Sequence, residues 1–173
     1  MNKTTQQTLF SSVKQDWGTP QSYIDYLQNM YNMTIDLDVC AHHDNNKAPR
    51  YFSLLDSCFD NDWDAKNAFM NPPFGRAITK FIDKAIEQVD NGNCQRLFIL
   101  VPARTDTKWA HQLFTALSCT SITFYKGRFN FDYTRSSKAA NAPFPSMMIV
   151  LEHGPPCMSL TRFVDIAPKH RGF

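Results

Sequence analysis

The stretch Asn67-Ala68-Phe69-Met70-Asn71-Pro72-Pro73-Phe74-Gly75 decides how the rest of this 173-residue chain is read. Its first four residues form a short strand pattern that runs without a spacer into a turn built on two prolines. A helix follows: Ile78, Phe81, Ile82, Ala85, Ile86 and Val89 recur on one face, and Asn91-Gly92 supplies the stop. Leu97-Phe98-Ile99-Leu100-Val101 is then a continuous apolar run, the pattern of a strand buried on both faces, and Pro102 ends it. Strand, turn, helix and buried strand in succession predict a mostly parallel sheet with helices on both faces, an α/β architecture.

Working outward, the same alternation continues. Thr19-Pro20 reads as a helix start, with Thr19 as N-cap and Pro20 at the first helical position, and Tyr23, Tyr26, Leu27 and Met30 follow at helical spacing. Residues 34–39 alternate polar and apolar and predict a strand ending near Cys40-Ala41, and 42–49 are loop-like. Trp109, Leu113, Phe114 and Leu117 suggest a helix and 121–125 a strand. Residues 132–145 read as a long loop, and 147–151 as a last core strand. Residues 1–16 are polar and are expected to be loosely ordered, so the chain is read as a single domain over 1–173.

Composition narrows the class. Hydrophobic residues make up 43% and charged residues 20%, ordinary for a globular protein. No apolar run approaches the roughly 18 residues needed to span a bilayer, so no membrane partner is expected. Five cysteines (Cys40, Cys58, Cys94, Cys119, Cys157) form a scattered set without a C-x-x-C pair, which points to reduced thiols and a cytoplasmic location. The net charge of +2 is unevenly spread. From Lys14 to Asp64 nine aspartates face only Lys14, Lys47 and Arg50, a net of −6. From Val101 to Ala140, Arg104, Lys108, Lys126, Arg128, Arg135 and Lys138 face only Asp106 and Asp132, a net of +4. The acidic half suits a cationic small molecule; the basic half, and those six cations in particular, suit nucleic-acid phosphates.

In a parallel sheet, ligands bind at the carboxyl ends of the strands. The segments 38–40, 71–74 and 102–106 all fall there. Pro72 and Pro73 fix φ and remove two backbone donors, so the turn is rigid and presents acceptors. Two fixed acceptors, the Asn71 side chain and the Pro72 carbonyl, can hold both hydrogens of an exocyclic amine and draw its lone pair out of conjugation with the ring. Phe74 offers a face for a planar base. Asn71, Pro72, Pro73 and Phe74 are therefore the candidate catalytic residues. His42-His43-Asp44 invites a metal reading, but adjacent histidines are expected to point apart and no spaced partner follows, so no metal is expected.

The tetrapeptide resembles the catalytic motif of amino-methyltransferases, and more of the chain is similar to one branch, the phage-type DNA N-6-adenine methyltransferases (Dam family). The matching stretches, in family order over about residues 17–151, are Trp17–Pro20, Leu37–Ala41, Asp62-Trp63, Asn71–Phe74, Val101–Trp109, Gly127–Phe129 and Ala142–Ser146. The resemblance implies a Rossmann-like methyltransferase fold, S-adenosylmethionine as cofactor, and a flipped adenine in DNA as substrate. It places Trp17, Thr19, Pro20, Asp38, Cys40, Ala41, Asp62 and Asn71 at the cofactor. Asp38 would face its cationic amino group and Asp62 its adenine amine. Residues 37–41 replace the glycine-rich turn that most methyltransferases carry after the first strand. Cytosine amines and protein glutamine amides are alternative acceptors, and a catalytically inactive DNA-binding relic is a third reading.

Overall fold

The computed structural model describes residues 17–53, 55–133, 140–155 and 160–165. Among these, a seven-stranded sheet is built from β2 (Leu37–Asp38), β3 (Arg50–Tyr51), β4 (Ala65–Met70), β5 (Cys94–Pro102), β6 (Cys119–Lys126), β9 (Ser146–Glu152) and β10 (Leu160–Asp165), in the order β10-β6-β9-β5-β4-β2-β3. Every pairing is parallel except those of β9, which runs antiparallel to both β5 and β6. A second, three-stranded antiparallel sheet joins β1 (Trp17–Gly18), β7 (Asn130–Tyr133) and β8 (Ala140–Asn141).

Strand alternation sorts the core into two layers. Leu97, Ile99 and Val101 of β5, with Met147, Ile149 and Leu151 of β9, face a cluster that includes Phe81, Ile82, Ala85 and Val89 of α2 (Ile78–Asp90) and Trp109, Ala110 and Leu113 of α3 (Lys108–Phe114). Phe98 and Leu100, with Met148 and Val150, face the other way, onto Tyr23, Ile24 and Leu27 of α1 (Gln21–Tyr31) and onto Phe129 and Phe131 at β7. Side chains in a strand point alternately to opposite faces, so a fully apolar strand requires a cover on each side. The expected α/β class, with helices on both faces of a mostly parallel sheet, is the observed one.

Five local expectations need correction. The strand expected over 34–39 is a two-residue ladder; ahead of it the Asp36 carboxylate accepts the backbone N–H groups of Asn67 (2.6 Å) and Lys66 (3.2 Å). Residues 132–145 are not one loop, since β7 and β8 pair there, and β9 is followed by a further strand, β10. The helix beginning at Lys108 ends at Phe114, leaving Leu117 exposed. At α1 the cap is Pro20, whose carbonyl accepts from Tyr23 (3.0 Å) and Ile24 (3.4 Å), while the Thr19 hydroxyl is engaged elsewhere. The expectation of a loose segment over 1–16 lies outside the described residues.

The segment before β4 is locked by one buried amide. Gln88 of α2 is fully buried, and its Oε1 accepts the backbone N–H of Trp63 at 2.9 Å. Replacing Gln88 with Leu leaves that N–H without an acceptor, a cost of about 1–3 kcal/mol. Urea unfolding should show a correspondingly lower midpoint at unchanged slope; an unaltered midpoint contradicts this role.

Candidate active site

The carboxyl ends of β2, β4 and β5 and the amino end of β9 form one rim, and α1 enters it from β1. β2 and β4 lie side by side, Asp38 opposite Phe69, and the Val39 N–H donates to the Phe69 carbonyl at 2.8 Å. The Asp38–Cys40 segment is thus held directly beside the exit of β4, where Met70 runs into Asn71. This is the neighbourhood where an open sheet of this kind binds ligands.

Asn71 is the centre of the rim. Its Nδ2 donates to the Trp17 carbonyl (2.5 Å) and to Thr19 Oγ1 (3.1 Å). Both donor positions of the amide are thereby used, which fixes which end is nitrogen and which is oxygen. Oδ1 is buried and has no hydrogen-bond partner. A buried acceptor left bare costs free energy and calls for an explanation in a native structure. Pro72 is buried behind it, and Phe74 is half-buried, its ring edge-on to Phe144 at 5.3 Å between centroids. Phe144 in turn meets Trp17 at 5.7 Å, so an aromatic wall closes one side.

Asp38 is 3% exposed. Its two oxygens accept the backbone N–H groups of Cys40 (3.2 Å) and Lys47 (3.0 Å), pinning the loop that replaces a glycine turn. Burial pushes its carboxyl up from 3.8 to about 6, against the lowering pull of those two N–H groups and the Lys47 charge. Cys40 stands next to it, half-buried, with its thiol held protonated by burial. Gly18 is required by close approach: a Cβ there would meet the Asn45 side chain and lie 3.0 Å from the Asp132 carbonyl oxygen.

The structure therefore brings Trp17, Thr19, Pro20, Asp38, Cys40, Ala41, Asn71 and Phe74 to one rim. It does not bring Asp62 there. Asp62 precedes β4, at the opposite end of a six-residue strand that is roughly 20 Å long, and its carboxylate accepts from Asn93 (3.1 Å) and Gln88 (3.4 Å). Trp63 beside it is core, fully buried. Arg104 and Lys108 follow β5, Lys126 ends β6 and Arg128 follows it; all four are exposed and at the rim side of the sheet. Arg135 and Lys138 lie outside the described residues. His42 and His43 do not point apart as expected: their rings sit 4.3 Å apart, and with Asp44 their ligating atoms fall within 4.8 Å, all exposed. Sequence reasoning missed the roles of Gly18, Lys47 and Phe144, whose importance arises only from contacts made across the chain.

A family model described as DNA N-6-adenine-methyltransferase (Dam) matches residues 6–170. The chain belongs to this family. Two Dam-type relatives are informative. A DNA N-6-adenine-methyltransferase of Escherichia phage T1 is 33% identical over 99 residues, covering 57% of this chain and 40% of the relative. One of Haemophilus phage HP1 is 30% identical over 98 residues, covering 57% and 56%. The chain spans about half the length of these curated relatives in the matched region. Among solved structures, a putative RNA methyltransferase from Pyrococcus horikoshii superposes with a TM-score of 0.50 at 11% identity, covering 87% of this chain and 98% of that one. That likeness shows a Rossmann-like methyltransferase fold, in agreement with the family.

Asp38 makes a pH-dependent prediction. Its folded-state value lies above its unfolded one, so the folded chain holds a proton there that the unfolded chain has released. Its contribution to stability accordingly falls as pH rises from 3.8 through about 6, and is constant above. Chemical denaturation of wild type and Asp38→Asn across that window should show the wild type losing stability relative to the variant as pH rises. A pH-independent difference contradicts the assignment.

Proposed function

We propose that the chain methylates the exocyclic amine of adenine in DNA, using S-adenosylmethionine, with the target base turned out of the helix into the rim at Asn71–Phe74. The observation that carries this reading is the bare acceptor Asn71 Oδ1. The amide is clamped by its nitrogen to Trp17 and Thr19, so its oxygen is the end that awaits a donor, and an exocyclic amine supplies one. Family membership narrows the amine to adenine N6, and the relatives' names supply the DNA.

Each residue has a separable task. Asn71 Oδ1 and the Pro72 carbonyl hold the amine hydrogens and pull the nitrogen out of planarity. The two prolines keep that geometry from relaxing, so that little reorganisation remains at the moment of reaction. Phe74 stacks against the base and is itself braced by Phe144. When bound, the cofactor supplies a methyl group on a positively charged sulfur. Residues at the end of β2 suit it: Asp38, a buried carboxylate with lone pairs beyond those taken by Cys40 and Lys47, can accept its ammonium, and Trp17 can wall its methionine end. Exposed Arg104, Lys108, Lys126 and Arg128 provide positive charge on the same side of the sheet for the phosphates. Arg135 and Lys138 are assigned the same task from sequence.

Incubation with labelled cofactor and unmethylated DNA should give N6-methyladenine. Asn71→Ala should lower turnover by roughly 100-fold or more, a far larger loss than any weakening of cofactor binding by calorimetry. Methylcytosine or methylated protein as the product, or full activity of Asn71→Ala, contradicts the proposal. Charge reversal of Arg104 and Lys108 together should weaken DNA binding and flatten its salt dependence. An unchanged salt slope removes these residues from the interface.

A further inference from the structure

A second bare polar atom lies at the same rim. Ser146 is 1% exposed, and its hydroxyl has no hydrogen-bond partner. It opens β9 opposite Pro102, the last pair at the carboxyl end of β5. Its face follows from alternation: Met147, Ile149 and Leu151 belong to the layer of α2 and α3, and Met148 and Val150 to the layer of α1. Ser146 shares the face of Met148 and Val150. Asn71 reaches the same face, since its amide bonds to Trp17 and Thr19 at the entry to α1. Among the described residues, the two other buried hydroxyls without partners, Ser118 and Ser121, lie at the amino end of β6, on the opposite edge of the sheet.

The position of Ser146 is rigid. The preceding carbonyl, Pro145, accepts the Ala103 N–H at 2.8 Å, and two residues back Phe144 packs against Phe74 and Trp17. A hydroxyl donor and an amide acceptor therefore stand fixed on one face, on either side of the end of β5, each buried and each unmatched. A purine carrying an exocyclic amine beside ring nitrogens has the complementary pattern, donor next to acceptor. We propose that Ser146 is a base-positioning residue: its hydroxyl donates to a ring nitrogen of the target base while Asn71 Oδ1 accepts from the amine. This rests on the reading of the chain as an adenine amine methyltransferase.

Ser146→Ala and wild type should be compared on oligonucleotides carrying adenine, 1-deazaadenine, 3-deazaadenine or 7-deazaadenine at the target. Wild-type transfer to ordinary adenine establishes the underlying reading independently. On adenine the variant should lose about tenfold in kcat/KM, the worth of one neutral hydrogen bond. That loss should disappear on the one deaza analogue that lacks the contacted nitrogen. Thermal stability of the variant without ligand should be equal or higher, because a buried hydroxyl with no protein partner is removed. A loss of the same size on all four bases, no loss on adenine, or a lowered melting temperature overturns the assignment even where wild type is active.

Discussion

The side-chain amide of Asn71 joins parts of the chain that lie far apart in sequence. Its nitrogen holds the Trp17 carbonyl and the Thr19 hydroxyl, 54 and 52 residues away in sequence, and so ties the exit of β4 to the entrance of α1. Trp17 and Gly18 are in turn the strand β1 that pairs with β7, so this amide adds a polar tie between the two sheets to the packing of Phe129 and Phe131. Because the nitrogen is engaged, the oxygen is left buried and without a protein partner. Structure and proposed chemistry thus use opposite ends of one amide.

Around this tie, rigidity comes from different sources on each side. At β4 it is covalent, in the rings of Pro72 and Pro73. At β2 it is a buried carboxylate: Asp38 gathers the N–H groups of Cys40 and Lys47, doing with a side chain what a glycine turn does with backbone freedom. At β9 it is packing, with Phe144 wedged between Phe74 and Trp17. A site that must hold an amine off planarity needs walls that do not yield, and the three devices differ because the three strand ends differ in sequence.

The features legible in the sequence were those written in local periodicity. Helical spacing over 78–89 and the apolar run 97–101 state their burial directly, and the abrupt passage from Met70 to Asn71-Pro72-Pro73 marks a strand end with fixed acceptors. What was not legible depends on partners distant in the chain. Residues 132–145 carry no strong strand pattern, yet Asn130–Tyr133 pairs with both Trp17-Gly18 and Ala140-Asn141. Thr19 looks like a cap by its neighbours, and only the arrival of Asn71 gives its hydroxyl another use. Asp62 looked close to Asn71 because nine positions separate them, but most of those positions are extended strand, which carries it to the other end of the sheet. Ser146 sat within a recognised stretch, but nothing local distinguishes a hydroxyl that has a partner from one that lacks it.

The central claim is that Asn71 Oδ1 receives the amine of the target base while Nδ2 keeps its hold on Trp17. A crystal structure of the chain with S-adenosylhomocysteine and an adenine-containing duplex tests it most directly. The account predicts an extruded adenine whose N6 lies within hydrogen-bond distance of Asn71 Oδ1, with the Trp17 and Thr19 contacts intact. An adenine whose N6 approaches other groups, or an Asn71 amide turned so that its nitrogen faces the base, would contradict it.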